Sequence, residues 1–323
     1  MRVLIVKLSS LGDIVHALPG VQDIRSARPD VTIDWVAEPS FAPLLRRVDG
    51  LNRIIECPLR RWRRTWWRGS VRSEWRAFMG ELREHRYDAV LDLQGLTKSA
   101  VVARLAHGRR FGLANRTEGS SFEAPARWLA DQAIRIEPRI HAMDRSRALA
   151  ARALGHAHGD TPVFGLHGQM ARPAGAARTM VVVHGSSRAD KRWPEPAWIA
   201  LGQRVAAGGW RIALPHSGAD ERARADRIAA GIGAAAEVWD EMPLDALIDR
   251  LALTHGVVGV DSGLSHIAVA LGLPHVQVYT VPTAWRTGPL PAHGQGSQVA
   301  VEVGPDEAGL EAVWRAWGEV IRG

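Results

Sequence analysis

Three loops of this sequence concentrate groups that bind anions or move protons. The first, KLSSLGDIVHALP from Lys7, sets Ser9, Ser10, Gly12 and Asp13 between an apolar run and an amphipathic stretch. Glycine lets a ligand approach the backbone, and the N–H groups of a helix start favour an anion or an oxyanion. Asp13 at that place can cap the helix or act as a general base, and the two roles are compatible: a carboxylate held at a helix start is oriented and stays ionised near neutral pH. The second loop, HGSSRADKRWPE from His184, offers the Ser186 and Ser187 hydroxyls and the Lys191 ammonium. That set suits a diphosphate, although an ordinary solvated loop has the same composition. The third, VVGVDSGLSHIAVALGLP, brings Asp261, Ser262 and Gly263 to the start of a helix that carries His266 one turn later. Asp261 or Ser262 can cap this helix, and Gly263 lets phosphate oxygens reach backbone N–H groups.

A fourth region is basic and aromatic. From Arg60 the chain reads RRWRRTWWRGSVRSEWR, with Arg60, Arg61, Arg63 and Arg64 crowded beside Trp62, Trp66 and Trp67. Guanidinium groups clasp carboxylates and phosphates in a two-pronged fork, and indole rings suit a membrane–water interface. A solvated charged face is the plainer reading. Stacking on single-stranded nucleic acid is a further one, disfavoured because no nucleic-acid-binding fold accompanies the patch.

These loops need a frame, and the chain supplies it twice. Apolar β-rich runs at 2–8, 31–37, 53–58, 87–94 and near 110–113 alternate with amphipathic stretches, the first of them predicted as one helix from Ile14 to Arg28. A Gly-, Ala- and Pro-rich stretch, 155–178, interrupts the rhythm. It resumes with runs at 180–185, 211–216, 236–240, 256–261 and 275–281, the last clear strand, and closes with a helix over about 307–321. The pattern predicts an α/β chain of two Rossmann-like domains, 1–160 and 161–323, facing an interdomain cleft, with ligands beyond the carboxyl ends of the strands. The final helix is allowed a return onto the first domain.

Composition narrows the function. The 323 residues carry a net charge of +7, which favours anionic partners without choosing among them. The single cysteine, Cys57, cannot form an internal disulfide and reads as buried. No signal peptide and no run of about 18 uncharged apolar residues is visible, so a soluble chain with at most peripheral membrane contact is expected. The first loop lacks the G-x-G-x-x-G pattern, which disfavours a nicotinamide-dependent dehydrogenase.

The stretches VLIVKLSSLGDIVHALP, DLQGLTKSA (92–100), DKRWPEPAW and VDSGLSHIAVALGLP, spread over nearly the whole chain, resemble the lipopolysaccharide core heptosyltransferases, an ADP-heptose-using family of the GT-B type. The opening stretch with PLRRWRRTWW and DKRWPE is most similar to the type I branch. The resemblance implies an inverting transfer of L-glycero-D-manno-heptose from ADP-heptose to Kdo on Kdo2-lipid A, with no metal and no cofactor, by a monomer at the cytoplasmic face of the inner membrane and without nucleic acid. It implies Asp13 as base and Lys191 as the group that neutralises the departing phosphates. Ser186, Ser187, Lys191, Glu221, Met242, Asp261, Ser262, Gly263 and His266 would hold the donor. Lys7, Ser10, Gly12, Arg60, Arg61, Arg63, Arg64 and Lys98 would face the acceptor, with His141 and Arg116 as further candidates. Domain closure would bring base and lysine to the sugar and exclude water. Two other readings stay open: a type II or other GT-B transferase, and a non-catalytic module that binds lipopolysaccharide or nucleic acid.

Overall fold

The apolar runs of the first half become six strands: β1 (Arg2–Val6), β2 (Thr32–Ala37), β3 (Leu51–Glu56), β4 (Arg86–Asp92), β5 (His107–Leu113) and β6 (Gln132–Ile134). The second half repeats the plan with β7 (Thr179–Val183), β8 (Arg211–Leu214), β9 (Ala236–Val238), β10 (Gly256–Val260), β11 (His275–Tyr279) and β12 (Gln298–Glu302). This computed structural model describes residues 1–290, 298–304 and 307–322. The chain divides into two units, Met1–Gly165 and Leu166–Gly323, and the division falls inside the stretch without periodic apolar residues.

Each unit holds one parallel sheet. The orders are β3-β2-β1-β4-β5-β6 and β12-β11-β10-β7-β8-β9. Both reverse direction next to their first strand, between β1 and β4 and between β7 and β10. Val3 of β1 pairs with Ile33 of β2 on one side and Ala89 of β4 on the other. Central strands are covered on both faces, so they read as continuous apolar runs; every residue of β10 is buried.

The structure departs from, or adds to, the sequence expectation in several places. The predicted helix Ile14–Arg28 is two helices, Leu11–Val15 and Leu18–Ala27. Pro19 lacks an N–H and its ring clashes with the carbonyl four residues earlier, so it opens the second helix instead of continuing the first. Strands β6 and β12 add to the predicted set. Both lie at sheet edges and mix polar with apolar residues, leaving no apolar run to read. The basic window folds into helices Leu59–Thr65 and Gly69–Arg83. The final helix, Glu307–Val320, buries Val313, Trp317 and Val320 with Met180, Val258 and Val276 in the second unit's own core. Cys57 is buried, and burial, with Glu38 adding to it, pushes its thiol up to about 12.

Two enclosed imidazoles are expected to make the second unit acid-sensitive. His275 in β11 lies 3.0 Å through Nδ1 from the Val257 carbonyl, and burial pulls it down to about 3. His184, directly after β7, is pulled down to about 4 by burial and by the neighbouring Arg224 and His216. Unfolded, both titrate near 6.5. The unfolded chain therefore binds more protons below that pH, and stability falls as pH drops from about 6.5 to the folded values. By about pH 4.5 the loss reaches at most about 3 kcal/mol per residue, because each pH unit crossed in that window costs about 1.4 kcal/mol. The urea midpoint is expected to fall between pH 7.5 and pH 4.5, and less steeply in His184→Gln and His275→Asn. A midpoint that stays level in the unaltered chain would show that neither ring is held neutral.

Candidate active site

The second sheet reverses between β7 and β10, and the polar groups of two expected loops meet there. Lys191 lies in the loop after β7 and Asp261 directly follows β10; their Nζ and Oδ2 are 2.5 Å apart. His266 Nε2 is 3.2 Å from Asp261 Oδ1, and Gln277 Nε2 of β11 is 3.5 Å from His266 Nδ1. An amide donating to Nδ1 leaves the imidazole proton on Nε2, facing the carboxylate. Burial alone would raise the Asp261 carboxyl. Hydrogen bonds and charge from His266 and Lys191 outweigh it and hold the group well below the usual carboxylate range. Asp261 is therefore occupied by two cation-capable partners and does not cap the helix Gly263–Ala270. Ser262 stands at the cap position in extended conformation, and its buried hydroxyl has no partner among the described residues.

The loop after β7 is tied to the same place. Ser186 Oγ donates to the Asp261 carbonyl at 3.4 Å, and Arg192 donates to the Ser186 carbonyl at 3.0 Å. Ser187 is exposed beside it. Glu221, on the helix Gly218–Ile232 after β8, accepts from the Ser217 amide at 2.9 Å. Its carboxylate lies so close over Gly185 that a Cβ there would sit 2.6 Å from it. Gly185 thus lets the carboxylate reach the end of β7. Met242 is half-buried in the loop between β9 and the helix Leu244–Ala252.

The first sheet has the same reversal between β1 and β4, and the loops after those strands interlock. Lys7 Nζ donates to the Leu93 carbonyl at 3.0 Å, and the Leu8 amide donates to Gln94 Oε1 at 2.8 Å. Asp13, in the short helix after β1, accepts from the Ser10 hydroxyl at 2.8 Å and the Ser10 amide at 3.2 Å, both on Oδ2. Burial would raise this carboxyl, but the Lys7 charge, the Ser10 bonds and the Arg145 charge together bring it below its ordinary value. Oδ1 has no hydrogen bond among the described residues and can receive a proton. Gly12 lies half-buried beside Asp13.

Several expected acceptor contacts fall elsewhere. Lys7 is only 2% exposed, so it acts on Asp13 from beneath instead of reaching out to an acceptor. Arg61 is engaged by Glu74, with bonds of 3.1 and 2.5 Å, and Trp62 Nε1 donates to the same carboxylate at 2.9 Å. Arg60, Arg63 and Arg64 are exposed on the helix Leu59–Thr65 and make no ion pair among the described residues. Lys98, half-buried on the helix Thr97–Leu105, acts on Glu123, whose carboxylate accepts from the Thr97 amide at 2.8 Å. His141 caps the helix Ala142–Leu154 by accepting from the Met143 amide, a structural use. Arg116 is exposed.

Residues 75–307 match the model of glycosyltransferase family 9 (heptosyltransferase), well over half of the chain. The chain belongs to glycosyltransferase family 9. This family 9 chain is 39% identical to lipopolysaccharide heptosyltransferase 1 of Escherichia coli K12 over 283 residues, which is 86% of this chain and 88% of that protein. Its fold superposes on the solved structure of E. coli heptosyltransferase WaaC with ADP at a TM-score of 0.84 and 35% identity, covering 100% of this chain and 99% of the other. The same E. coli enzyme with ADP-2-deoxy-2-fluoro heptose gives 0.81. Identity to E. coli lipopolysaccharide heptosyltransferase 2 is 25%. The family 9 chain is therefore a glycosyltransferase of the GT-B fold, nearer in sequence to the type I relative than to the type II one.

Sequence reading misses three residues of this constellation. Gln94 lies inside the DLQG stretch, but its role appears only with its amide on the Leu8 backbone. Gln277 sits mid-strand, where a lone buried amide in an apolar run is the available signal. Arg145 lies far from Asp13 in sequence and carries none.

Proposed function

We propose that this chain moves L-glycero-D-manno-heptose from ADP-heptose to the first Kdo of Kdo2-lipid A, with inversion, as a peripheral protein at the cytoplasmic face of the inner membrane. In this reading the first unit, Met1–Gly165, takes the acceptor and the second, Leu166–Gly323, the nucleotide sugar. The reading rests on one observation. The reversal points of the two sheets carry complementary chemistry, a positioned carboxylate at one and a lysine–aspartate–histidine chain with a helix start at the other.

The balance of the reaction needs both. The acceptor hydroxyl oxygen bonds to the anomeric carbon while the bond from that carbon to the phosphate oxygen breaks. ADP departs with the electron pair, and the hydroxyl proton passes to Asp13 Oδ1. Lys191 and the N–H groups from Gly263 onward offset the charge that grows on the leaving phosphate. Ser186, Ser187 and the Ser262 hydroxyl supply further donors to phosphate, and Glu221 suits the ribose hydroxyls. Arg60, Arg63 and Arg64 suit the Kdo carboxylate and the lipid A phosphates. Among the described residues no group of three or more His, Cys, Asp or Glu is placed to hold a metal ion. No helix among them is long and apolar enough to cross a membrane.

The test is ADP release from ADP-heptose with Kdo2-lipid A stripped of its fatty acids. Release that needs both substrates is expected. Donor binding without release would reject the acceptor. In the same assay, joint replacement of Arg60, Arg63 and Arg64 by Ala is expected to raise the acceptor KM and leave the donor Kd unchanged; an equal loss for the donor would sink the clamp. Arg61 is left in place because its pair with Glu74 supports the fold.

A further inference from the structure

The helices Leu59–Thr65 and Gly69–Arg83 carry more than an arginine clamp. Trp62 is buried between them, its ring packed edge-on against Trp75 and Phe78 at centroid distances of 5.5 and 5.4 Å. Its indole N–H is fixed on Glu74. A groove of about 540 Å³ lies here, floored by Trp62, Val71 and Trp75 and rimmed by Arg63, Arg72 and Arg76. Trp66 also lines it, and Trp66 and its chain neighbour Trp67 stand 71% and 63% exposed. From residue 59 to 76 the chain has seven arginines and one acid, Glu74, already held by Arg61. Two exposed indoles beside an apolar groove are the kind of surface that marks an interaction site.

The chemistry of the patch selects its occupant. A second copy of the chain docking through the same face would set seven arginines against seven, which opposes a symmetric pair. Successive bases of a nucleic acid stack on parallel rings, but Trp66 and Trp67 meet at 82° and Trp62 and Trp75 at 76°. An anionic phospholipid surface meets every feature. Phosphates pair with guanidinium groups, and basic side chains are drawn to the negative potential of such a surface. Indole rings settle at headgroup depth, and an acyl chain fills an apolar groove.

We propose that this face docks on an anionic phospholipid bilayer, with Trp66 and Trp67 entering the interface and a lipid acyl chain taking the groove between the two helices. The proposal rests on the reading of a lipid-linked acceptor, and it separates membrane docking by the rings from sugar recognition by Arg60, Arg63 and Arg64.

The experiment is co-sedimentation of the full chain with vesicles, paired with ADP release on the fatty-acid-free acceptor in the same preparations. The unaltered chain is expected to sediment with vesicles containing phosphatidylglycerol and to stay in solution with pure phosphatidylcholine. The double variant Trp66→Ser, Trp67→Ser is expected to lose at least about tenfold in partitioning, which corresponds to about 1.4 kcal/mol, with turnover on the fatty-acid-free acceptor unchanged. Trp66→Phe with Trp67→Phe restores most of the partitioning. Undiminished sedimentation of the serine variant overturns the proposal, as does equal binding to neutral vesicles. Turnover lost together with partitioning also overturns it, because the rings would then belong to the acceptor site or to the fold. Vesicle binding is read without any acceptor, so failure of the heptose reading leaves this test intact.

Discussion

Replacing Asp13 with alanine is expected to lower turnover by at least about two orders of magnitude, the range for loss of a general base. The variant also removes the two Ser10 bonds, and a lost helix cap costs about 0.5–2 kcal/mol of stability. Asp13→Asn separates these effects. Its side-chain oxygen still accepts from Ser10, so stability is retained, but it cannot take the proton and turnover stays low. An asparagine variant with near-normal turnover would remove Asp13 from the chemistry. The carboxyl is held below its ordinary value by Lys7, Ser10 and Arg145 against the burial that would raise it. It is a weak base, which suits a late proton transfer: the hydroxyl becomes strongly acidic only once its oxygen bonds to the cationic anomeric carbon. The pH–turnover profile is accordingly expected to show no acid limb from Asp13 near neutral pH. Asp13 is ionised there, and the lowering by Lys7, Ser10 and Arg145 moves its protonation further to acid.

Lys191→Met has the second largest expected effect. A hydrogen bond to a charged group contributes about 1.5–3 kcal/mol, so ADP binding is expected to weaken by about tenfold to a hundredfold. Turnover falls further, by about 10²–10³, because the phosphate charge that Lys191 meets is largest in the transition state. Lys191→Arg is not expected to restore it, since a planar fork does not replace a compact ammonium 2.5 Å from a carboxylate. The methionine variant also leaves the buried Asp261 with His266 alone, and an uncompensated buried charge destabilises. Adding Asp261→Asn should recover stability without recovering turnover. If the double variant regained both, the lysine would be a structural counter-ion and not a partner of the leaving group.

Much of this site can be read from the sequence because each loop is local. Asp13 with Ser10, the Ser186–Lys191 run and the Asp261–His266 turn each lie within a dozen residues, between an apolar strand and an amphipathic helix, and those periodicities survive in any context. The helix break at Pro19 follows from the same local rules, although the periodicity conceals it. What the basic window does is less legible. Its arginines look alike in sequence, and only packing commits Arg61 to Glu74 while leaving Arg63 and Arg64 exposed.

The sequence by itself determined two Rossmann-like halves, and it set at the ends of their strands the residue types to which the proposed base, phosphate cation and hydroxyl donors are assigned. Tertiary structure alone decided which of them meet. Parallel strands pair with partners that are not their neighbours in sequence, so the order that sets β1 beside β4 and β7 beside β10 is written in no local pattern. That order joins Lys191 to Asp261 across 70 residues and Lys7 to the Leu93 carbonyl across 86. It also turns Lys7 from an expected acceptor contact into a buried charge beneath Asp13, and brings the Glu221 carboxylate over Gly185. Burial and charge act over a few ångströms in space, whereas sequence records only separation along the chain.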